Sequence, residues 1–422
     1  MVQPDRGIRG KRSVQAQLIP MTIQEYISEN LPRTIRLNRE DQGKLIGLPY
    51  LYSVPCAGNH FQEMYYWDTY FTNLGLIQCG QAEQARNNID NMIWLIGRYG
   101  FMLNGNRTSY LYNSQPPFLA LMVKELFSVT GDIAWLAKAY DALKTEAAFW
   151  ENKRMTPIGL NRYCGEKMPP EREIAYAAAM EKRMGSDLGL TPAELAYGLL
   201  AAGESGWDCT PRMTWESYHY AALDLNCLLY AQEDCLAEFA GVLQLHEERD
   251  HWIARKEKRA ELCRAYLKAE DGVFYDYHLQ KKGLNKLHSV ACFYPLFCGL
   301  ATKEEAEAAH GLLPQLETEH GILTCEQCDV PGSYQWGYPN GWAPLQYIVV
   351  KGLLDYGYDT DAKRIAQKFV RTVERCFAQT GHLWEKYNML DGSVNVQNEY
   401  DMPPMLGWTF GVYETFLKLL AK

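Results

Sequence analysis

The stretch LTPAELAYGLLAAGESGWD, from Leu190 to Asp208, joins a helix to a short loop that carries acids, glycines and a tryptophan. Thr191 followed by Pro192 is typical of a helix start, with an N-cap residue and then proline at the first helical position. Apolar residues recur with helical spacing up to Ala202, and glycines follow. The stretch predicts a helix over 191–202 that leads into a motif-bearing loop.

The same alternation extends outward over most of the chain. Amphipathic segments are separated by short connections rich in aromatic residues, glycine and proline, and no long linker or strict repeat divides them. The predicted helices are Ala82 to Tyr99, Pro117 to Val129, Ile133 to Asn152, Thr191 to Ala202, Trp215 to Ala231, Cys235 to Lys268 with a break, Ser289 to Leu300, Lys303 to Glu317, Ala343 to Tyr356, Thr360 to Ala378 and Met405 to Leu420. A hairpin is expected near Asp271 to Leu279. The pattern predicts an all-α toroid of paired helices, with a tail over 1–20 and one domain over 21–422.

Composition limits the classes of function. Hydrophobic residues make up 47% of the 422 residues, which is enough for a buried core. The net charge of -9 argues against binding to a nucleic-acid backbone, and the only basic cluster, Arg6 to Arg12, is short and terminal. No apolar run is long enough to span a membrane, and the N-terminus lacks the apolar segment of a secretory signal. The sequence favours a cytoplasmic protein that binds neither membrane nor nucleic acid.

Cysteine and histidine spacings give little support for a metal. The twelve cysteines are scattered, many within apolar runs, and are expected to be reduced and buried. Cys325 and Cys328 have the spacing of half a zinc site or of a redox pair, but no second pair follows. The nine histidines form no HxH or HExxH pattern. We expect neither a metal nor another cofactor.

Several segments combine acids or amides with aromatic residues. They are AGNHFQEMYYWDTYF (57–71), NGNRTSYLYNSQPPF (104–118), GESGWDCTPRM (203–213), SYQWGYPNGWAPLQY (333–347) and, more weakly, LWEKYN (383–388). Sugar sites need this mixture, because hydroxyls require polar partners and ring faces require flat apolar cover. The alternative is structural, in which Trp336 and Trp342 close the end of the helical array around a turn.

With these motifs in this order, from Ala57 to Val412, the chain resembles the trehalases, glycoside hydrolase family 37. ESGWD and QWGYPNGWAP are the most specific of the matches. The resemblance implies the six-plus-six, or (α/α)6, helical toroid and a reaction that inverts the anomeric configuration. It also implies the roles of two carboxyl groups, since Asp208 matches the family's general acid and Glu385 its general base. Inversion requires such a pair, one carboxyl group to protonate the leaving oxygen and one to activate water.

Each carboxylate also has a simpler interpretation. Asp208 could be a turn residue after Gly206, and Glu385 a surface residue beside Lys386. Other positions match family residues that hold the non-reducing glucose or lie beside the catalytic pair. They are Phe61, Tyr65, Trp67, Asp68, Asn104, Gln115, Trp207, Gln335, Trp336 and Glu399. Asp68 is expected to bind two adjacent hydroxyls, although it could instead cap a turn.

The departures from the family pattern concern the leaving group. His60 and Asn113 stand where trehalases have arginines, and PPEREI, from Pro169 to Ile174, is only a distant counterpart of RPESY. In trehalases these arginines hold the second glucose, and arginine's planar fork of donors has no equivalent in histidine or asparagine. The glycine-rich lid is replaced by MLDGSVNVQNEY. We therefore expect the glucose side of the site to be kept and the leaving-group side to be altered.

The function predicted from these residues is an inverting, exo-acting α-glycosidase that hydrolyses α,α-trehalose or a related α-glucoside. A close alternative is an α-glucosidase for another disaccharide or for a glucoside with a different aglycone. A sugar-binding protein without activity is less consistent with retention of both Asp208 and Glu385. A purely helical scaffold would not need the tryptophans in the loops. The expected partner is a small sugar, and the sequence does not indicate the oligomeric state.

Overall fold

The computed structural model of the chain describes residues 21–184, 189–332, 334–396 and 400–422. The predicted tail over 1–20 and Glu399 lie outside the described residues, and the single-domain division stays a prediction. Helices dominate, and in these ranges they are α1 (Ile23–Asn30), α2 (Tyr66–Gln78), α3 (Ala82–Tyr99), α4 (Leu119–Thr130), α5 (Ile133–Arg154), α6 (Pro170–Met184), α7 (Pro192–Ser205), α8 (Leu223–Val242), α9 (His246–Tyr266), α10 (Tyr294–Phe297), α11 (Lys303–His310), α12 (Leu313–Leu316), α13 (Ala343–Asp355), α14 (Asp359–Thr380) and α15 (Gly407–Leu420).

Short 3₁₀ segments and strands fill the connections. The 3₁₀ segments are Leu31–Thr34, Thr108–Tyr110, Thr214–His219 and Val290–Phe293. The strands are β1 (Ile35–Arg36), β2 (Tyr52–Ser53), β3 (Tyr220–Ala221), β4 (Asp276–His278), β5 (Gly283–Asn285), β6 (Asn340–Trp342) and β7 (Lys386–Asn388). They pair antiparallel as β1–β2, β3–β4–β5 and β6–β7. Of the stretch from Asp271 to Leu279, in which a hairpin is expected, only β4 is a strand; it forms a hairpin with β5, which lies beyond the stretch, and is joined by β3.

Six helices form a closed inner ring. The packing order is α2, α4, α8, α10, α13 and α15, and α15 returns to α2. The last contact is very close, because a Cβ on Gly411 would lie 1.8 Å from the carbonyl oxygen of Phe71. Outside the ring, α3 packs on α2 and α4, α5 on α4 and α8, α9 on α8, and α14 on α13 and α15. The predicted all-α toroid is confirmed.

Burial distinguishes the two layers. In the inner helices α2 and α13, ten of thirteen residues are buried, so there is no polar face. In the outer helix α14, the buried residues recur at helical spacing, for example Ile365, Phe369 and Val373. The helices α6 and α7, which follow α5 in the chain, pack on each other and lie beside one opening of the ring. No helix within the described ranges is both long and apolar enough to cross a membrane.

Candidate active site

A cavity of about 340 Å³ opens at one end of the inner ring. Trp67 lies in the first turn of α2, Trp408 in the first turn of α15, and Trp342 directly precedes α13, so helix N-termini surround the cavity. The N-terminal end of a helix carries partial positive charge, which favours carboxylates and sugar oxygens there. The fold therefore places a polar, aromatic pocket where several inner helices begin.

Most of the predicted site residues come together here. Those that line the cavity are Phe61, Tyr65, Trp67, Asp68, Asn104, Gln115, Asp208, Trp336 and Glu385. Trp207 and Gln335 do not line it but are fully buried beside residues that do. Five motifs that are far apart in the sequence thus meet in one cavity.

The first motif is not a loop throughout. Tyr65 is the N-cap of α2, so Trp67 and Asp68 are held in the first helical turn. The backbone N–H of Trp67 donates to Oε1 of Gln115 at 3.2 Å, which ties the first motif to the second. Helical periodicity failed here because α2 is buried on nearly every side and has no amphipathic pattern to detect.

The Asp208 loop has an unusual backbone. Helix α7 ends at Gly206, which has φ of +72°, and a Cβ there would lie 2.9 Å from the Trp67 ring. Asp208 itself has φ of +32°, and Phe61, also in the pocket, has φ of +48°. Left-handed conformations cost residues other than glycine about 1–2 kcal/mol, and such residues concentrate at functional sites. The tight turn buries Trp207 and brings Asp208 to the cavity, where it is half-buried.

Glu204, in the same motif, has a structural role that sequence analysis missed. Its buried carboxylate accepts hydrogen bonds from the backbone N–H groups of Ser114 and Cys164, each at 2.8 Å. Arg154 donates from Nε at 2.8 Å and from Nη2 at 2.9 Å. A buried charge with this many donors is well compensated. Glu204 therefore fastens the end of α7, and with it the Asp208 loop, to the second motif.

Glu385 is buried, with 2% of its surface exposed, and this excludes its interpretation as a surface residue. Lys386 Nζ donates to its Oε2 at 2.6 Å, and the Tyr400 hydroxyl donates to its Oε1 at 2.6 Å. The indole N–H of Trp408 donates to the Glu385 carbonyl oxygen at 3.0 Å. The carboxylate is thus fixed at both oxygens and through its backbone. Charge-assisted hydrogen bonds of this kind stabilise its negative charge.

Lys386 connects Glu385 to the segment before α13. It is fully buried, its Nζ also lies 3.3 Å from Oε1 of Gln335, and it sits 4.6 Å from the centre of the Trp342 ring. Strand β7 pairs with β6 so that Lys386 faces Trp342 directly. We call Gln335, Trp336, Trp342, Glu385 and Lys386 the inner wall. Sequence analysis treated Lys386 only as a neighbour, because nothing local indicates that a lysine is buried.

Five tryptophans pack together around the inner wall. Trp336 and Trp342 stack with their centroids 3.7 Å apart and their planes within 1°. Trp67 and Trp207 lie 5.5 and 5.9 Å from Trp336, and Trp408 meets Trp342 edge-on at 5.6 Å. Trp336, Trp342, Trp67 and Trp408 also line the cavity. The rings therefore close the end of the toroid and form a surface of the pocket, and their contact with a sugar stays a prediction.

Three carboxyl groups influence one another in the cavity. Burial raises the pKa of Asp68 to about 8, and the negative charges of Glu385 and Asp208 act in the same direction. Asp68 is therefore largely protonated at neutral pH, when it can donate a hydrogen bond as well as accept one.

Among the described residues, no group of three or more His, Cys, Asp or Glu side chains is arranged to hold a metal ion.

The positions that depart from the family motifs differ in their surroundings. His60 is exposed and does not line the cavity. Asn113 is buried, lines the cavity, and leaves its Oδ1 without a hydrogen-bond partner. Arg107 forms an ion pair with Glu63, and Arg172 donates to the Ser109 carbonyl oxygen at 2.8 Å. We call His60, Arg107, Asn113 and Arg172 the outer side.

Helices α6 and α7 supply pocket residues that sequence analysis did not select. Tyr176 from α6 and Leu199 and Leu200 from α7 line the cavity. The Arg172 guanidinium lies 5.9 Å from the centre of the Tyr176 ring, next to the outer side. These residues belong to no recognised motif. Only the packing of α6 on α7 shows that they reach the site.

Comparison with known proteins identifies the family of these motifs. The trehalase family model matches residues 9–421. The periplasmic trehalase of Xanthomonas campestris pv. campestris (strain B100) is 34% identical over 425 residues, which cover 94% of this chain and 73% of that protein. The periplasmic trehalase of Xanthomonas axonopodis pv. citri (strain 306) is 33% identical, with the same coverage.

Solved structures agree with the fold. The neutral trehalase Nth1 from Saccharomyces cerevisiae superposes with a TM-score of 0.76 at 29% identity, covering 91% of this chain and 76% of that one. A GH63 mannosylglycerate hydrolase from Thermus thermophilus has a TM-score of 0.62 at 19% identity, covering 87% and 95% of the two chains. The second likeness concerns the fold alone.

The expectation of a cytoplasmic protein is wrong. The curated relatives from Xanthomonas are named periplasmic trehalases, which points to the periplasm. The absence of an apolar segment near the N-terminus of the given sequence does not report the compartment.

Proposed function

The chain belongs to the trehalase family, and from that premise we propose that it hydrolyses α,α-trehalose to glucose with inversion of configuration. The observation that carries the proposal is the convergence of Asp208 and Glu385 on one cavity walled by tryptophans. Binding a sugar would not require two such carboxyl groups, whereas an inverting glycosidase needs both.

We assign Glu385 as the general base. Lys386 and Tyr400 fix both of its oxygens, so the carboxylate is oriented before substrate arrives. A carboxylate that is ionised and held in place is suited to take a proton from water as that water attacks the anomeric carbon. The 2% exposure of Glu385 also limits the number of competing waters.

We assign Asp208 as the general acid that protonates the glycosidic oxygen. It lies on a different element from Glu385, after α7, and Leu199 and Leu200 add apolar surface to the same cavity. An apolar setting favours the neutral carboxyl form that an acid catalyst needs before the reaction. Asp68 is the competing candidate because its pKa is raised to about 8 by burial. The family motif favours Asp208, and variants of both residues separate the two assignments.

The remaining residues are proposed to bind the non-reducing glucose. Aromatic faces cover the C–H faces of the sugar ring, while amide and carboxyl groups contact its hydroxyls. The proposed binding residues are Phe61, Tyr65, Trp67, Asp68, Asn104, Gln115, Trp336 and, from the resemblance alone, Glu399. Trp207 and Gln335 are proposed to support this surface from behind.

The outer side favours a second candidate activity, the hydrolysis of another α-glucoside. Asn113 offers a buried oxygen with no partner at a position where trehalases use arginine. An unpaired buried acceptor costs about 1–3 kcal/mol, and a leaving group with a suitably placed donor would remove that cost. Such a leaving group need not be glucose.

The test is glucose release from a panel of trehalose, kojibiose, nigerose, maltose, isomaltose and glucosylglycerate. We expect trehalose to be cleaved, and at least one other substrate to have a comparable kcat/KM. Proton NMR of the first product should show β-glucose before mutarotation. Initial α-glucose would contradict inversion, and sugar binding without turnover of any substrate would contradict the enzymatic assignment.

A further inference from the structure

Cys325 and Cys328 follow a residue that is hydrogen-bonded to β6, the strand that contains Trp342 of the inner wall. The residue before them, Thr324, donates to the carbonyl oxygen of Asn340 from its backbone N–H at 3.0 Å and from its hydroxyl at 2.7 Å. Asn340 begins β6, which pairs with the strand that follows Glu385. The cysteine pair is therefore attached to the segment that forms the pocket surface.

The two cysteines differ in how firmly they are held. Cys325 is 1% exposed, and its backbone forms a β-bridge with Ser289. The next residue, Glu326, exchanges hydrogen bonds with His288, at 2.9 Å through its backbone N–H and at 2.8 Å through its side chain. Cys328 lies beyond this fixed part and is partly exposed. One sulfur is thus buried and anchored, and the other is accessible from solvent.

The two thiols also interact with each other. Interaction with the Cys325 side chain, helped by the Val330 backbone, lowers the pKa of Cys328 to about 6. The nearby carboxylates of Glu326 and Asp329 act in the opposite direction but do not reverse the shift. The same contact and burial raise the pKa of Cys325. A CxxC pair with one accessible thiolate and one buried thiol is the arrangement used in thiol–disulfide exchange.

We propose that Cys325 and Cys328 form a thiol–disulfide exchange site that accepts small-molecule disulfides such as oxidised glutathione. The Cys328 thiolate attacks one sulfur of the small disulfide, whose S–S bond breaks, giving a mixed disulfide on Cys328 and one free thiolate. Cys325 then loses its proton to solvent and attacks the Cys328 sulfur, forming the intramolecular disulfide and releasing the second thiolate. Two electrons pass from the cysteine pair to the small disulfide, which becomes two thiols.

The bacterial periplasm, to which the names of the relatives point, is an oxidising compartment where such an exchange is favoured. This proposal does not depend on the hydrolytic function, and its test requires no substrate. Neither cysteine is among the residues proposed for catalysis or sugar binding.

Cys79 is the matched control because it is more exposed than Cys328, while burial of its sulfur and the charge of Glu414 raise its pKa. At pH 6.5 the larger thiolate fraction of Cys328 favours its alkylation on the order of 10²-fold, and its lower intrinsic nucleophilicity removes roughly a factor of ten. We therefore expect iodoacetamide to label Cys328 about tenfold faster than Cys79, as measured by peptide mapping of the native protein. Faster labelling of Cys79 would overturn the proposal, since exposure alone would then control reactivity.

Oxidised glutathione provides the second measurement. We expect the wild-type protein to lose two hydrogens, with a Cys325–Cys328 disulfide in the digested peptides. Cys325→Ser should instead retain one glutathione on Cys328. Cys328→Ser should not react with oxidised glutathione in the segment that contains the cysteine pair. If the wild-type protein keeps glutathione on Cys328 and does not form the Cys325–Cys328 disulfide, the proposed role of Cys325 is wrong.

Discussion

The Glu385 carboxylate of the inner wall and the Asn113 side chain of the outer side line the same pocket but differ in how completely their oxygens are satisfied. On the inner wall, both carboxylate oxygens of Glu385 have donors, and Lys386 joins that carboxylate to Gln335 and to the Trp342 ring. On the outer side, Asn113 keeps a buried oxygen without a partner. A carboxylate with donors on both oxygens is held in one geometry, whereas an unpaired group can form a new contact without breaking an old one. Unpaired groups include the Asn113 oxygen and, on the inner wall, Nε2 of Gln335 and the indole N–H of Trp336. The chemistry is therefore expected to depend on the inner wall, and the choice of leaving group on the outer side.

The largest effect is expected from the two proposed catalytic carboxyl groups. Glu385→Gln and Asp208→Asn should each lower kcat by on the order of 10² to 10⁴, because each retains the shape of the side chain but cannot transfer the proton. With α-glucosyl fluoride, whose leaving group needs no proton, Asp208→Asn should recover most of its rate and Glu385→Gln should not. The measurement is kcat for both substrates, with Asp68→Asn as the control. Recovery by Asp68→Asn in place of Asp208→Asn would move the acid role to Asp68.

The next effect concerns Lys386. Lys386→Met leaves the buried Glu385 carboxylate without its cation, and breaking a buried ion pair in this way costs about 3–5 kcal/mol in free energy of unfolding. The value of kcat should also fall, because the proposed base has lost the donor that fixes its Oε2.

The control for Lys386 is Lys351→Met. Lys351 pairs with Asp355 on the surface of α13, with more than a third of each side chain exposed, and such pairs contribute about 0.3–0.5 kcal/mol. Denaturant unfolding and kcat of both variants provide the comparison. Equal losses of stability in the two variants would show that the inner wall does not depend on the Lys386 charge.

Asp68 should make the stability of the protein depend on pH. Burial raises its pKa to about 8, above the ordinary value of 3.8, so between these values the folded chain binds more protons than the unfolded chain. The free energy of unfolding therefore falls as pH rises through this window, by at most about 1.4 kcal/mol per pH unit from this group. Asp68→Asn should flatten the dependence relative to the wild type, as measured by denaturant unfolding at pH 5, 6.5 and 8. An unchanged slope would show that Asp68 is ionised in the folded protein throughout this range.

The smallest effect is expected on the outer side. Asn113→Arg places a guanidinium at the cavity and should raise kcat/KM for trehalose relative to other α-glucosides by on the order of tenfold, the value of one charge-assisted hydrogen bond. His60→Arg should change the same ratio by less than about twofold, because His60 is exposed and does not line the cavity. Relative kcat/KM values across the disaccharide panel test both variants. A change produced by His60→Arg alone would show that the chain around His60 closes over the substrate.

Local signals were sufficient for much of the fold. Thr191 with Glu194 forms the capping box of α7, and Thr302 with Glu305 does the same for α11. Outer helices such as α14 repeat their buried residues at helical spacing, so their periodicity was readable. Segments with weaker signals differ from the prediction. The segment from Ser289 to Leu300, predicted as one helix, contains a 3₁₀ segment followed by the short α10. The inner helix α2 was missed because it is buried on nearly every side.

The sequence alone identified the family, the two proposed catalytic carboxyl groups and most of the pocket residues. These residues lie within short contiguous motifs that can be recognised without the structure. Only the tertiary structure decided which neighbours give them their chemistry. Lys386 follows Glu385 directly and Glu204 lies in the same motif as Asp208, yet their roles depend on partners as distant in the chain as Gln335 and Arg154. The pKa of Asp68 is raised by burial in the folded chain and by Glu385 and Asp208, which come from the fifth and the third motif. Charge and desolvation act through space over a few ångströms, and only the folded chain sets those distances.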